Sequence, residues 1–242
     1  MTVPARVTLV TGGAKRVGAA IVRACAKRGD SVIIHASRSI SDAETLATEL
    51  RALGASIAVV QGDLSDADTP ARVIQEAADA FGRLDVLVNS AATFVQGDLM
   101  SITSSQWDLA FAVNVRAPFF LSQAAAQHMT AGGVIVNIAD HLAFETMPTM
   151  VAHGAAKSAL VHVTRTLARA LAPHIRVNAI VPGLVSAPDA WTDDDAARFL
   201  RGVPLKRAGT ADDVAQAVCW LIDATYVTGA IVPVDGGRGV AR

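Results

Sequence analysis

Asp140, His153 and Lys157 are residues whose types and spacing could carry out proton transfer. His153 and Lys157 stand four residues apart, which places both side chains on one face of a helix, and Asp140 precedes His153 by thirteen residues. A free imidazole titrates near pH ~6.5 and suits a proton donor at neutral pH, whereas a carboxylate can pair with it. The three residues therefore indicate general acid–base chemistry.

A glycine-containing loop near the N-terminus has the composition of a phosphate site. Residues 11–18 lie between a short β-branched run and a helical pattern, and they include Gly12, Gly13 and Gly18. The first two glycines allow a tight turn, and Gly18 lets the helix pack closely on the strand. Because a helix N-terminus offers free N–H groups and a positive dipole end, this loop predicts a bound pyrophosphate.

The elements that position these residues can be read from alternating patterns along the whole chain. Strands are predicted at 7–10, 31–35, 56–60, 85–88, 134–138, 175–180 and 231–234, and helices at 17–28, 41–53, 68–81, 104–129, 150–171 and 210–222. This alternation predicts an α/β fold, with a doubly wound parallel seven-stranded sheet and helices on both faces. No composition break divides residues 1–242, so we expect a single domain. Residues 185–202 could form a lid or a solvated loop.

Composition and charge exclude several classes of protein. The chain has 242 residues, 52% of them apolar, with a net charge of −1, which argues against disorder and against a nucleic-acid partner. Cys25 and Cys219 give neither a disulfide framework nor a zinc site, and we expect no metal. No apolar segment is long enough for a membrane span, and residues 1–6 do not resemble a signal peptide. We therefore expect a cytoplasmic protein.

Several motifs, in order, resemble those of the short-chain dehydrogenases/reductases. Thr11, Gly12 and Gly18 look like the TGxxxGxG loop of that family, with Arg16 in place of its middle glycine. Further matches are the segment 89–92 to NNAG, Asn114 to the family's helical Asn, Pro182-Gly183 to its PG pair, and 226–229 and 234–237 to its C-terminal signatures. The resemblance covers almost the whole chain and implies a Rossmann fold that binds a nicotinamide dinucleotide.

The end of the second strand indicates which dinucleotide is bound. It carries no carboxylate to hold a ribose 2′-hydroxyl, whereas Arg38, Ser39 and Arg16 could bind a 2′-phosphate, with His35 as a further contact. Lys15-Arg16 and the HxxRS arrangement resemble NADPH-binding pteridine reductases. The cofactor NADPH (NADP) is thus implied, with contacts from Gly12, Lys15, Arg16, Val17, His35, Arg38, Ser39, Asp63, Leu64, Asn89, Ala91, Lys157, Pro182, Gly183 and Leu184.

The reaction centre departs from the family pattern. Family members place a Tyr four residues before the Lys and usually a Ser thirteen residues before the Tyr, and these positions hold His153 and Asp140 here. The single tyrosine, Tyr226, belongs to the C-terminal signature. Asp140 and Phe94 resemble the pterin-binding Asp and stacking aromatic of pteridine and dihydromonapterin reductases, although Phe94 could equally be a core or lid residue. The resemblance implies that Lys157 holds the nicotinamide ribose and that Asn114 holds a relay water.

The sequence favours an NADPH-dependent reductase that transfers hydride to the C=N bond of a pterin, such as a dihydropterin, or of a similar cyclic imine or ketone. His153, Asp140 or both would donate the proton, and Phe94, Asp140 and His153 would contact the substrate. If His153 is the donor, activity should fall as the pH rises and the ring loses its proton. The alternatives are a general carbonyl reductase, for 3-oxoacyl or alcohol substrates, and a catalytically inactive NADP(H)-binding protein. Family members commonly form tetramers, and the helical segments 122–129 and 155–172 could form homotetramer interfaces.

Overall fold

Seven parallel strands form one sheet in the computed structural model, which describes residues 6–129, 132–185 and 192–240. The strand order is β3-β2-β1-β4-β5-β6-β7, and every neighbouring pair is parallel. The strands are β1 (Val7–Thr11), β2 (Ser31–Ala36), β3 (Ile57–Gln61), β4 (Val86–Asn89), β5 (Gly133–Ile138), β6 (Ile175–Pro182) and β7 (Ile231–Val234). The predicted doubly wound fold is confirmed.

Helices cover both faces of the sheet and bury two separate cores. They are α1 (Arg16–Lys27), α2 (Ile40–Ala52), α3 (Thr69–Phe81), α4 (Ser104–Phe111), α5 (Ala117–His128), α6 (Val151–Ala170), α7 (Asp193–Arg201) and α8 (Ala211–Asp223). Helices α1, α2 and α8 pack on one face, and α3, α5 and α6 on the other. Neighbouring strand residues point to opposite faces, so Ile33 enters one core and Ile34 the other.

Two predicted segments differ from the structure. The predicted helix 104–129 is interrupted by a π-helical turn, Ala112–Arg116, which lies between α4 and α5 and contains Asn114. Such turns insert an extra residue and often occur at functional sites. In the segment 185–202, helix α7 begins after Thr192, whose side chain caps it, and residues 186–191 lie outside the described residues. None of the helices in the described parts of the chain is long and apolar enough to cross a membrane.

The strand order places the crevice for a ligand. The order in which the chain adds strands reverses between β1 and β4: β2 and β3 lie on one side of β1, and β4 to β7 lie on the other. Thr11 pairs with Asn89 there, at the carboxyl ends of the two parallel strands. In open α/β sheets, ligands bind outside the carboxyl ends of the strands at such a switch point. The loops that follow β1, β2, β3, β4 and β5 therefore meet at one edge of the sheet.

Candidate active site

A cleft of about 350 Å³ lies at this switch point, beside the N-terminal end of α1. It is lined by residues of the loops after β1, β2, β3 and β4, among them Gly12, Lys15, His35, Arg38, Ser39, Asp63, Leu64 and Ala91. These eight residues are all among the predicted cofactor contacts. The cleft therefore joins four separate sequence segments that could hold one dinucleotide.

The turn between β1 and α1 depends on residues that lack a bulky side chain. Gly12 has φ +62°, and a Cβ atom there would lie 2.8 Å from the Cα of Ala91. A Cβ atom on Gly18 would overlap the carbonyl oxygen of Gly12. Arg16 has φ +50°, so it adopts the left-handed backbone that normally favours glycine. The arginine therefore occupies a strained position beside the cleft, in place of the family's middle glycine.

Arg38 and Ser39 provide the groups that fit a ribose 2′-phosphate. Both residues line the cleft, Arg38 is exposed, and Ser39 precedes α2 without using its side chain as a helix cap. The preceding end of β2 has no carboxylate that would repel a phosphate. The carboxylate of Asp63 accepts hydrogen bonds from the backbone N–H and the hydroxyl of Ser65, and these bonds lower the pKa of Asp63. The donor set thus fits a phosphorylated dinucleotide.

His35 lies beneath the glycine loop and supports it from within. Its Nδ1 accepts the N–H of Gly12 at 3.3 Å, and its Nε2 lies 3.1 Å from the carbonyl oxygen of Gly62, which can only accept a hydrogen bond. The ring is therefore neutral, with its proton on Nε2, and both nitrogens are engaged. Burial lowers the pKa of His35 to about 4. The residue holds the phosphate loop in place, and neither nitrogen is available to the phosphate.

The buried His35 should make stability depend on pH. An unfolded His35 titrates near 6.5 and the folded residue near 4, so only the unfolded chain gains this proton as the pH falls between them. The stabilisation present above pH 6.5 is therefore lost toward pH 4, by about 3 kcal/mol. In His35→Gln the free energy of unfolding should depend less on pH across this window, as measured by urea denaturation. An exposed control, His174→Gln, should keep the wild-type slope; equal slopes for all three proteins would contradict this assignment.

Several predicted cofactor contacts point elsewhere in the structure. The Lys15 ammonium lies 2.9 Å from the Asp42 carboxylate on α2, and Val17 packs against the core. The Asn89 side chain is buried, where it donates to Asn137 at 2.8 Å, so it links β4 to β5 instead of facing the cleft. Val17 and Asn89 thus support the site from within the protein, whereas Lys15 lines the cleft with its ammonium paired to α2.

The predicted Pro182–Leu184 contacts lie where β6 ends. The N–H of Gly183 donates to Val234 at 3.0 Å, and the carbonyl oxygen of Leu184 accepts the N–H of Gly209 at 2.8 Å. A Cβ atom on Gly183 would lie 2.8 Å from the Cα of Asp235, so only glycine allows this close approach. The segment is thus fixed between β7 and the start of α8, at the same edge of the sheet as the cleft.

His153 and Lys157 lie on α6 beside the end of β5, as predicted. The His153 side chain is 0% exposed, and its Nδ1 lies 3.2 Å from the carbonyl oxygen of Thr93. Because that carbonyl can only accept, Nδ1 carries a proton, and Nε2 is the atom free to exchange one. Nε2 has no hydrogen-bond partner among the described residues, but it lies 3.6 Å from Oδ2 of Asp140.

Asp140 connects the buried histidine to the surface of the site. Its Oδ1 accepts the N–H of Leu142 at 2.8 Å and caps a short 3₁₀ turn, whereas its side chain is 18% exposed. Burial raises the pKa of Asp140, but the contacts with His141 and His153 and the bond from Leu142 outweigh it and hold this pKa well below its ordinary value. Asp140 is therefore an ionised carboxylate near neutral pH.

Lys157 and Asn114 complete the centre. Lys157 is buried and donates from Nζ to the carbonyl oxygen of Ile138 at 2.8 Å, and burial lowers its pKa to about 8. Asn114 bonds the backbone of Thr93 twice, donating to its oxygen at 3.0 Å and accepting from its N–H at 3.3 Å. The Thr93 carbonyl oxygen thus accepts hydrogen bonds from both Asn114 and His153. Sequence reasoning missed this residue, because a backbone carbonyl contributes no side-chain signal.

Phe94 covers the buried histidine. Its ring stacks on the His153 ring with a centroid separation of 4.6 Å and an angle of 18°, and 63% of Phe94 remains exposed. Of the two alternatives to a stacking role, a core residue is therefore excluded, whereas a lid residue is not. The exposed aromatic surface stands at the mouth of the site, beside the partly exposed Asp140, where a planar ring could lie against it.

Comparison with known proteins identifies the family. A family model described as enoyl-(acyl carrier protein) reductase matches residues 12–238, and an uncharacterized oxidoreductase of Methylorubrum extorquens is 35% identical over 240 residues, covering 96% of this chain and 97% of that protein. The chain belongs to the short-chain dehydrogenase/reductase family. It is therefore an oxidoreductase, as the sequence motifs indicated.

Solved structures of other short-chain dehydrogenases/reductases contain the expected cofactor. The short-chain dehydrogenase of Burkholderia cenocepacia in complex with NADP is 34% identical with a TM-score of 0.92, covering 97% of this chain and 98% of that one. The FolM alternative dihydrofolate reductase 1 of Brucella suis in complex with NADP is 34% identical with a TM-score of 0.92, covering 100% and 98%. This short-chain dehydrogenase/reductase is thus NADP-dependent, and the predicted cofactor is confirmed.

In this short-chain dehydrogenase/reductase, we expect Arg38 to favour NADPH over NADH. Removing a charge-assisted hydrogen bond to phosphate costs about 1.5–3 kcal/mol, so Arg38→Ala should weaken NADPH binding by about 10- to 100-fold. The dissociation constant of NADH, which lacks the phosphate, should change less than about twofold. Fluorescence titration of both cofactors measures the difference, with the exposed Arg169→Ala on α6 as control. Equal weakening of both cofactors by Arg38→Ala would contradict the assignment.

Proposed function

We propose that this protein is an NADPH-dependent reductase of a C=N bond in a dihydropterin or similar cyclic imine. The observation that carries the proposal is the ionised Asp140 carboxylate at the position where the family usually has Ser. In the same centre, an imidazole at His153 replaces the usual Tyr. The reaction centre thus contains a carboxylate and an imidazole where a ketone reductase presents two hydroxyl groups.

The charge of Asp140 distinguishes imines from ketones. A protonated imine is a cation with an N–H donor, and a nearby carboxylate stabilises it before hydride arrives. A ketone instead develops negative charge on oxygen during reduction, and a carboxylate at that place would repel this charge. The electrostatics of Asp140 therefore favour C=N over C=O reduction.

The proton path follows from burial. His153 is fully enclosed beneath Phe94, so its Nε2 reaches the substrate side through Asp140, whose Oδ2 lies 3.6 Å away. In the proposed reaction, Asp140 contacts the substrate nitrogen and His153 supplies the proton through the carboxylate. The nitrogen gains one proton and the adjacent carbon gains one hydride, which converts C=N to CH–NH.

The remaining residues of the site would bind the cofactor and orient the reacting groups. Bound NADPH supplies the hydride and becomes NADP⁺. Lys157 would hold the nicotinamide ribose, Arg38 and Ser39 the 2′-phosphate, and Asn114 fixes the Thr93 carbonyl that orients His153. Phe94 would stack against the substrate ring. The name of the Brucella relative, alternative dihydrofolate reductase, supports a pterin, since dihydrofolate carries a dihydropterin ring with a C=N bond.

A steady-state assay tests this proposal. With NADPH and a dihydropterin, we expect NADPH oxidation at 340 nm together with formation of the tetrahydropterin, identified by mass spectrometry. Faster turnover of 3-oxoacyl esters or simple ketones would instead support a general carbonyl reductase. Tight NADPH binding without oxidation by any imine or carbonyl compound would support a non-catalytic binding protein. Either result would overturn the proposal.

We also propose that the protein assembles as a homotetramer, in line with the resemblance. Large apolar side chains are exposed around the central helices, including Trp107 on α4 and Phe120 on α5. Exposed apolar patches of this kind mark interaction surfaces. Light scattering coupled to size-exclusion chromatography should give the mass of four chains, and a monomer mass would contradict this assembly.

A further inference from the structure

A second histidine, His141, lies on the side of the Asp140 carboxylate opposite His153. Nδ1 of His141 is 3.1 Å from Oδ1 of Asp140, whereas Nε2 of His153 is 3.6 Å from Oδ2. The two oxygens of one carboxylate therefore face two different imidazoles. The family pattern that predicts positions 140, 153 and 157 assigns no role to residue 141.

In the described part of the chain, the ring nitrogens of His141 form no other polar interaction. Both ring nitrogens are buried, and neither makes a hydrogen bond of good geometry, because the ring N–H is not aligned with Oδ1 of Asp140 despite the short distance. The contact with Asp140 is therefore mainly electrostatic. Buried polar atoms without aligned partners are uncommon and call for a functional explanation.

Packing holds the His141 ring against the carboxylate. Phe199 of α7 meets the ring edge-on, with centroids 5.8 Å apart and an angle of 78°. The guanidinium of Arg238 lies 3.9 Å from the centre of the Phe199 ring and pairs with Glu145 at 2.9 Å. The histidine is thus fixed between helix α7 and the reaction centre.

The charged groups around this pair come from three elements. On α6, His153 faces Asp140 directly and Lys157 acts on it through its charge. Glu145, from the segment of His141 itself, and the C-terminal Arg238 neutralise each other beyond Phe199. His141 is therefore the imidazole that acts on Oδ1, and no other titratable group of the described residues contacts that oxygen in the structure.

We propose that His141 is a positioning residue of this centre, which holds Oδ1 of Asp140 in place and leaves Oδ2 to His153 and the substrate. The inference rests on the proposed imine reduction. Its physical reason is that burial alone would raise the Asp140 pKa, and the His141 contact opposes this rise more strongly than any other contact. Two imidazoles, one for each oxygen, would thus maintain the carboxylate that the reaction requires.

The proposal predicts a shift in the pH profile. Activity requires ionised Asp140, so kcat declines as the pH falls through the Asp140 pKa. Without the His141 contact this pKa rises toward the ordinary value of a carboxyl, and the acid limb of kcat should move to higher pH. A residue with only a structural role would lower activity without moving this limb.

The experiment compares His141→Phe with wild type and with His174→Phe, an exposed control. Phe keeps the ring that packs on Phe199. For His141→Phe we expect kcat at pH 7 to fall about tenfold because the carboxylate loses its fixed orientation, although Asp140 stays ionised at that pH. The KM should change little, and the acid limb should shift upward. An unmoved acid limb, or a shift no larger than that of His174→Phe, would overturn the proposal.

A second variant and a second readout keep the test informative. His141→Gln keeps a polar side chain but lacks the imidazole, so it should recover part of kcat while the acid limb stays shifted; a wild-type limb would overturn the proposal. If His141→Phe does not fold, this variant decides alone. If the wild type reduces no imine, the proposed function fails, and ¹³C NMR titration of the Asp140 carboxyl with NADP⁺ still tests His141. An Asp140 pKa unchanged by either substitution would overturn it.

Discussion

Asp140→Asn should reduce kcat for imine reduction by about 10²- to 10⁴-fold, the range expected for loss of a general acid–base group. Asparagine keeps the shape of the side chain, and its oxygen can still accept the N–H of Leu142, which now bonds Asp140 at 2.8 Å. It cannot carry the negative charge that stabilises a protonated imine, nor accept a proton from His153. NADPH affinity should stay within about twofold, because Asp140 does not line the cofactor cleft.

Single-turnover oxidation of bound NADPH by a cyclic imine measures this effect without interference from product release. The control is Asp79→Asn, because Asp79 lies exposed on α3, far along the sequence from the reaction centre. A rate for Asp140→Asn that equals that of Asp79→Asn would show that the carboxylate takes no part in the reaction. Loss of NADPH binding together with activity would instead indicate a disturbed cofactor site.

Gly18→Ala should abolish useful cofactor binding. The added Cβ atom would overlap the carbonyl oxygen of Gly12, so the first turn of α1 must move away from the phosphate loop. Displaced N–H groups no longer converge on the pyrophosphate, and NADPH affinity should fall by at least about 100-fold. Overpacking of this kind also lowers the free energy of unfolding by about 1–3 kcal/mol.

Gly209→Ala is the matched control for this substitution. Its Cβ atom would meet its nearest neighbour, the carbonyl oxygen of Leu184, at 3.6 Å, an ordinary contact. Isothermal titration calorimetry with NADPH should therefore separate the two variants, with near wild-type binding for Gly209→Ala. Retained NADPH affinity in Gly18→Ala would mean that the loop between β1 and α1 does not carry the pyrophosphate.

The sequence predicted the fold because its patterns are local. Short apolar, β-branched runs marked the strands, and the predicted strand 231–234 agrees with β7 residue by residue. Other boundaries moved by one or two residues, since the last strand residues, such as Asn89 and Pro182, are fixed by pairing with neighbours. The π-helical turn around Asn114 was not predictable, because its hydrogen bonds to Thr93 come from a distant segment.

The sequence predicted which residues form the candidate site, but not how their side chains are buried and arranged. Spacing on one helix placed His153 and Lys157 together, and the structure brings both beside Asp140. Spacing could not show that His153 is enclosed beneath Phe94, or that His35 uses both nitrogens inside the protein. Burial depends on side chains from several loops at once, so it emerges only from the assembled sheet.

The preference for C=N over C=O is the central claim, and a matched substrate pair tests it most directly. The measurement is the ratio of kcat/KM with NADPH for a cyclic imine and for the cyclic ketone of the same ring size. The charge of Asp140 beside His153 predicts that the imine is preferred by at least about 100-fold. A ratio near one, or a preference for the ketone, would contradict the claim that this carboxylate–imidazole centre serves imine reduction.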